Sequence, residues 1–268
     1  LETTMVHSAA GIPLPEGGLV LQPPFRAPHH TSSQVSIVGG GSHALRPGEI
    51  SIASGGVLFL DELPEFAPRV IDTLRQPLES GEVHVARAAV SAVLPARFQL
   101  VAAMNPCPCG NRGERPGSCG CGEDRAQRYV GRVSGPLLDR FDLRVDVHRP
   151  DVDEIMSDRP AEASACVADR VEAAQRRAIE RQGPLNARLD GSSLDEVASL
   201  EAEARSTLRS EMERGRLSGR GYHRVRRVAR TLADLAGAPT ISLQHVEMAV
   251  RLRRALGARP DGTLGSVA

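Results

Sequence analysis

The chain has 268 residues, of which 41% are hydrophobic and 25% are charged. This composition is typical of soluble globular proteins and excludes general disorder, and the length fits one large domain or two smaller ones. No apolar run reaches the roughly 18 residues that a membrane-spanning helix needs, and the N-terminus has no signal-peptide pattern. We therefore expect a cytoplasmic protein without a membrane partner.

Charge is balanced overall but unevenly distributed, with 33 acidic residues and 33 cationic residues that are all arginine. Residues 151–204 hold 6 Arg and 13 acids, whereas residues 205–259 hold 13 Arg and 4 acids. The basic block either faces phosphates or an acidic neighbour, or is a solvated helical surface. Because the sequence has no lysine, a P-loop of the form G-x-x-x-x-G-K-[ST] and lysine Schiff-base catalysis are both excluded within these residues. Aromatic residues make up only 3%, which disfavours a base-stacking platform for single strands.

The first part of the chain begins with loops and then becomes strand and helix. Residues 1–50 are rich in Gly, Pro, Ser and His, which predicts long loops with one short strand near 35–38. The continuous apolar run at 57–60 predicts a strand buried on both faces. The stretch 67–81 follows with helical spacing and is predicted to stop at Gly81.

Three further strand signals follow in chain order. Residues 82–94 alternate in two arms and predict a β-hairpin with Arg87 near its tip. Residues 98–104 predict a second buried strand, which ends at Asn105, and residues 142–147 predict a third. Strands separated by a helix in this order favour a parallel α/β sheet.

After Pro150 the pattern becomes helical. Helices are predicted at about 162–182, 194–214, 218–236 and 242–257. We therefore expect two domains, an α/β domain over 1–150 and a helical domain over 151–268.

The strongest chemical signal is the pair Asp61-Glu62 directly after the first apolar strand. Ligands of open α/β sheets bind at the carboxyl ends of the strands, and an acid there can hold Mg²⁺ through water. The neighbouring acid can take a proton from an attacking water. The pair thus predicts the Walker B arrangement of a nucleotide hydrolase, with Asp61 for the metal and Glu62 as base. The alternative is an acidic strand-to-loop turn.

Two later residues extend this interpretation. Asn105 follows the second buried strand, where an amide could orient the water or contact a γ-phosphate as a sensor. Arg140 precedes the third strand and could stabilise charge on a phosphate held by a neighbouring subunit, as an arginine finger does. Taken singly, the two residues also fit a turn residue and a surface cation.

Four of the five cysteines lie close together as C-x-C-x₉-C-x-C, at Cys107, Cys109, Cys119 and Cys121. Four thiolates could enclose a tetrahedral Zn²⁺, although the usual knuckle spacing is C-x₂-C. Free or redox-active thiols, or a cluster or another soft metal, are the alternatives. Cys166 stands apart on a predicted helix and is expected to be a small buried hydrophobe.

Five segments carry a resemblance to a known family: FRAPHHTSSQVSIVGGG, LRPGEISIASGGVLFLDELPEF, LESGEVHVARAAVSAVLPARFQLVAAMNPCPCG, GRVSGPLLDRFDL and RGYHRVRRVARTLADLAG. In their residues and in their order along the chain they resemble the YifB/ComM family of magnesium-chelatase-like AAA+ ATPases over about residues 1–257. The resemblance implies an α/β fold, with a partial AAA+ P-loop NTPase core followed by an all-helical lid. It also implies a homo-hexameric ring with ATP and Mg²⁺ as cofactors, which couples hydrolysis to DNA remodelling such as branch migration.

The resemblance assigns roles to individual residues. Asp61 matches the Walker B acid, Glu62 the catalytic glutamate, and Asn105 the residue called sensor 1. Arg140 matches the arginine finger that acts on a neighbouring subunit. Arg220 matches the sensor 2 position, which contacts the nucleotide, and Arg224 is a competing candidate for that position. Arg87 lies on a hairpin that matches a pore-facing element, where it would contact DNA. His29 and His30 belong to a second pore-facing loop over 29–45 and are interpreted as pore or packing residues.

One feature of the family is missing from this sequence. Members carry an N-terminal domain and a P-loop before the point that corresponds to residue 1. Backbone N–H groups and the P-loop lysine supply most of the phosphate binding, so we expect this chain alone to bind ATP poorly and not to hydrolyse it. Two alternatives remain: a non-catalytic remnant that acts as an assembly or metal-binding module, and a chelatase-type or protein-remodelling motor.

Overall fold

A computed structural model describes residues 1–41, 45–87, 90–113, 117–147, 150, 152–157 and 160–253. The chain divides into two compact units, Leu1–Arg140 and Phe141–Ala268. The first unit is α/β and the second is helical, as the sequence predicts. The domain bounds given above stay a prediction. In the described part of the chain, no helix has the length and apolar character that crossing a bilayer requires.

The described strands all belong to the first unit. They are β1 (Phe25–Arg26), β2 (Gly39–Gly40), β3 (Arg46–Pro47), β4 (Val57–Leu60), β5 (Glu82–Arg87), β6 (Val90–Pro95) and β7 (Gln99–Ala102). The central sheet is parallel with the order β1-β4-β7, and Leu60 lies opposite Ala102. This confirms that the two apolar runs form strands, but the predicted burial is wrong for β7, whose residues alternate between exposed and half-buried. Leu58 and Leu60 of β4 are 0% and 1% exposed, while the other face of the strand is half-buried.

The predicted β-hairpin is confirmed. β5 and β6 pair antiparallel, from Glu82 opposite Pro95 to Arg87 opposite Val90. Residues 88 and 89, which join the two strands, lie outside the described residues, and so does the side chain of Arg87.

The helices of the first unit are short. They are α1 (Glu2–Ala10), α2 (Gln34–Val38), α3 (Glu49–Ile52), α4 (Pro68–Asp72), α5 (Pro77–Ser80), α6 (Glu123–Val130) and α7 (Gly135–Leu138). The predicted helix over 67–81 is divided into α4, a 3₁₀ turn and α5, because Pro77 has no backbone N–H to continue the ladder. Gly81 ends it in the left-handed conformation, with φ of 70°, as predicted.

Two predicted strands are wrong. The strand near 35–38 is helix α2, because the Ser33 side chain accepts a hydrogen bond from the Ser36 N–H at 3.2 Å and caps a helix there. Residues 142–147 form no strand. Within them the Arg144 N–H donates to the carbonyl of Leu252 at 2.6 Å, so this backbone group bonds to a helix rather than to a sheet.

The second unit contains α8 (Val152–Ile155), α9 (Ser164–Gln182), α10 (Gly191–Val197), α11 (Ala202–Glu213), α12 (Gly219–Leu235) and α13 (Leu243–Arg253). The helix predicted at 194–214 is two helices, because the Ile241 backbone bonds to Ser199 and Glu201 in the segment between them. Leu194, Leu208 and Val225 are among the residues of one apolar core. Residues 254–257 of the last predicted helix lie outside the described residues.

Candidate nucleotide site and cysteine cluster

Asp61 and Glu62 lie at the carboxyl end of β4, the central strand of the parallel sheet. Both residues are exposed. The Asp61 carboxylate accepts a hydrogen bond from the Glu62 N–H at 2.9 Å, and Glu62 has a φ of 52°. A left-handed backbone at a residue other than glycine costs about 1–3 kcal/mol and is commonest at functional sites. The turn thus places two carboxylates side by side in solvent at the strand end.

Asn105 follows the neighbouring strand at the same edge of the sheet. The carboxyl ends of β4 and β7 are tied together, because the Ala103 N–H donates to Leu60 at 2.9 Å and the Leu63 N–H donates to Ala103 at 3.0 Å. Asn105 is exposed, two residues beyond this link. Its carboxamide lies beside Gly110, where an added Cβ would be 3.7 Å from the Asn105 Oδ1. The sheet therefore brings Asp61, Glu62 and Asn105 to one edge.

His30 is a contact of this edge that sequence analysis missed. Its Nδ1 lies 3.0 Å from the Glu62 Oε2, and its ring packs 4.0 Å from that of His29 and edge-on against Phe66. The position of His30 in the chain could have indicated this contact, because His30 follows β1 and β1 pairs with β4. Residues after two parallel neighbours meet at the same edge, so His30 holds the Glu62 carboxylate and restricts its orientation.

Arg140 is held by acceptors of its own unit. Its guanidinium contacts the Glu79 carboxylate at 2.8 Å, the Arg75 carbonyl at 3.0 Å and the Pro136 carbonyl at 2.6 Å. The side chain is only 13% exposed. To act on a phosphate of another subunit, this guanidinium has to exchange at least one of these contacts.

Arg220 and Arg224 lie in the first two turns of α12, in the second unit. Ser218 caps this helix, because its side chain accepts a hydrogen bond from the Gly221 N–H at 3.1 Å. Arg220 is exposed, whereas Arg224 is 16% exposed and pairs with Asp142 at 2.7 Å. To contact a phosphate, the Arg224 guanidinium would have to exchange this ion pair with Asp142.

The four clustered cysteines converge, with their sulfur atoms all within 4.8 Å of one another. Cys107 is buried, Cys109 is exposed, and Cys119 and Cys121 are half-buried. A hydrogen bond at the Asn111 backbone, together with bonds from Cys107 and Cys121, lowers the pKa of Cys109 to about 6. Cys166 is exposed, so its prediction as a buried hydrophobe is wrong.

Comparison with known proteins agrees with these features. The family model described as "Magnesium chelatase, subunit ChlI" matches residues 1–155, and that of the ChlI C-terminal part matches residues 161–253. YifB of Escherichia coli strain K12 is 45% identical over 234 residues, covering 87% of this chain and 46% of YifB. Competence protein ComM of Haemophilus influenzae is 44% identical over 234 residues, covering 87% of this chain and 45% of ComM.

The resemblance extends to a chelatase subunit at lower identity. The magnesium-chelatase 38 kDa subunit of Cereibacter sphaeroides is 32% identical over 110 residues, covering 41% of this chain and 26% of that subunit. The chain spans about half the length of YifB and ComM. The chain therefore belongs to the magnesium chelatase ChlI family, within the AAA+ ATPases, and consists of part of the AAA+ core followed by the helical lid.

Proposed function

We propose that this chain supplies the hydrolytic half of an ATPase site, with Asp61, Glu62 and Asn105 as its reacting edge. The observation that supports this is the convergence of two exposed carboxylates and an amide at the ends of β4 and β7. These oxygen donors suit Mg²⁺, which prefers oxygen ligands and keeps much of its water. A bound Mg²⁺ would neutralise charge on the phosphate oxygens.

Each residue has a separate part in the proposed reaction. Asp61 holds the metal's water ligands, and Glu62 accepts the proton of the attacking water. Asn105 donates through its amide to the water or the terminal phosphate. His30, 3.0 Å from Glu62, keeps that carboxylate directed along the sheet edge. Arg220 or Arg224 in the lid would contact the nucleotide. The proposed cofactors are ATP and Mg²⁺ at the sheet edge and Zn²⁺ at the cysteine cluster.

Nucleotide binding by the isolated 268-residue chain is expected to be weak. The sequence has no lysine to contact the β- and γ-phosphates, and the carboxylates at the sheet edge repel them unless a metal is bound. Isothermal titration with ATP and Mg²⁺ is expected to give a Kd far above the micromolar range and no measurable hydrolysis. Micromolar affinity would contradict this expectation.

We propose a homo-hexameric ring in which Arg140 of one subunit serves the site of its neighbour. ComM is a competence protein, and competence is the uptake of DNA, so this relative supports work on DNA. The proposed DNA contact is Arg87 on the hairpin of β5 and β6, which would face the pore of the ring. The other candidate is a chelatase-type motor, which the family description and the Cereibacter sphaeroides subunit favour. Both would use the same hydrolytic residues.

The complete gene product separates the two candidates. ATP turnover with Mg²⁺ is expected to rise several-fold when double-stranded or branched DNA is added, and Arg87→Ala should remove the stimulation while leaving the basal rate unchanged. The matched control is Arg69→Ala, which removes a cation from α4 rather than from the hairpin. Equal turnover with and without DNA would contradict the DNA proposal, and no turnover at all would contradict the ATPase proposal.

A further inference from the structure

We propose that Cys107, Cys109, Cys119 and Cys121 form a structural Zn²⁺ site, and that the metal fixes the loop that carries Asn105. The metal site stands on the cysteine geometry alone. Only the consequence for Asn105 rests on the proposed function.

The sulfur separations suit a tetrahedral thiolate site. A Zn–S bond of about 2.3 Å places the sulfurs of a tetrahedron about 3.8 Å apart. The Cys107–Cys119 and Cys109–Cys119 separations are 3.8 and 3.7 Å, and the Cys107–Cys109 separation is 3.4 Å. These distances are far longer than a disulfide bond of about 2.05 Å. The four thiols are therefore arranged around a shared point rather than in bonded pairs.

The donor set also selects the class of metal. Within the described residues, the group that could hold an ion consists of four thiols and includes no carboxylate or imidazole. Soft thiolate ligands favour zinc over magnesium or calcium, and a closed set of four is typical of structural zinc sites. Cys107 and Cys109 lie at one end of the segment 107–121, and Cys119 and Cys121 lie at the other, so the ion would close a loop.

Within its described residues, few side-chain contacts hold this loop, and one of them is an ion pair between Arg112 and Glu123 at the start of α6. In its described part, the two ends are linked by the Ser118 side chain, which donates to the Asn111 carbonyl at 3.2 Å, and by a 3.5 Å contact from the Asn111 amide to the Ser118 carbonyl. Cys107 is buried at 0% exposure, whereas Cys109 is exposed. A metal would supply the cross-link that a small apolar core cannot supply here.

Asn105 is joined to the cluster by a short turn. The Gly110 N–H donates to the Cys107 carbonyl at 3.0 Å, and Gly110 has a φ of 78° that glycine adopts without strain. Gly110 also lies beside the Asn105 carboxamide, with its Cβ position 3.7 Å from the Oδ1. Cys107 and Cys109 therefore both lie in the turn beside Asn105. A metal that binds both cysteines would fix the Asn105 amide at the sheet edge.

Metal content tests the site directly. Protein purified without chelators, or refolded with Zn²⁺ alone, is expected to hold about one equivalent of zinc by mass spectrometry of the metal. Cys107→Ser and Cys119→Ser should each lower it at least five-fold. Cys166→Ser is the matched control, because this exposed thiol lies on α9 away from the cluster, and it should keep the full equivalent. Less than about 0.2 equivalents in the unmodified chain would overturn the site.

A second measurement tests the link to Asn105 without using activity. The side-chain amide signal of Asn105, assigned in the NMR spectrum by its loss in Asn105→Asp, is expected to shift or broaden when a chelator removes zinc, while signals from α12 stay in place. An Asn105 signal unchanged by complete zinc removal would overturn the positioning role. If zinc binds and the signal moves but the complete gene product hydrolyses no ATP, the metal site stands and the proposed function fails.

Discussion

Replacing Asp234 by alanine is expected to destabilise the helical unit by about 3–5 kcal/mol, the range seen when one partner of a buried ion pair is removed. Asp234 lies on α12 and its side chain is 2% exposed. It contacts Arg181 at 2.6 Å and Arg230 at 3.1 Å, and the Arg230 side chain is 0% exposed. Without Asp234, Arg230 keeps a buried charge, and its remaining acceptors among the described residues are the carbonyls of Ala238 and Pro239.

Urea unfolding monitored by circular dichroism measures this loss. The control is Glu213→Ala, which removes the exposed ion pair between Glu213 and Arg209 on α11 and should change the unfolding midpoint little. A loss of unfolding free energy below about 1 kcal/mol for Asp234→Ala would contradict this prediction, because it would mean that water or a rearrangement compensates the unpaired charge of Arg230.

The same carboxylate predicts how stability depends on pH. Burial by itself would raise the pKa of Asp234, but hydrogen bonds from Arg181 and Asn186 and the charge of Arg230 outweigh burial and lower it. A carboxyl with a lowered pKa in the folded state stabilises the fold above its unfolded pKa of about 3.9, and this contribution is lost as pH falls further. The difference in stability between the unmodified chain and Asp234→Asn should therefore be full at pH 7 and shrink below about pH 4.

Periodicity predicted the central strands and the hairpin because burial on a sheet leaves a local pattern. The run at 57–60 is apolar throughout, and β4 has neighbours on both sides. The same reasoning failed at 142–147, where alternation is present but Val145 and Val147 are 65% and 89% exposed. Alternation reports what a strand would require and not whether a partner strand is present.

The candidate site was predictable where chemistry follows a strand, and unpredictable where it depends on pairing. Asp61 and Asn105 could be predicted as site residues because each directly follows an apolar run. His30 was missed because β1 has two residues, too few to produce a pattern, and its contact with Glu62 depends on which strand lies beside β4. Arg181, the other charged partner of Asp234, is 53 residues away in sequence, so no spacing rule could have found that contact.

Glu62→Gln in the complete gene product is expected to lower ATP turnover by about 10²–10⁴-fold, the usual contribution of a general base. Glutamine keeps the size of the side chain and an oxygen for a bond with His30, which lies 3.0 Å from the carboxylate, but it cannot accept the proton of the attacking water. Because Asp61 still holds the metal, the affinity for ATP and Mg²⁺ should change little, so the loss should fall on kcat. Glu65→Gln is the matched control, since Glu65 lies three residues away and pairs with Arg132 at 3.3 Å. It should leave turnover within about two-fold, because removing a half-exposed ion pair has a small effect. Equal kcat for Glu62→Gln and the unmodified protein would remove Glu62 from the proton transfer and leave Asp61 as the only functional carboxylate of the pair.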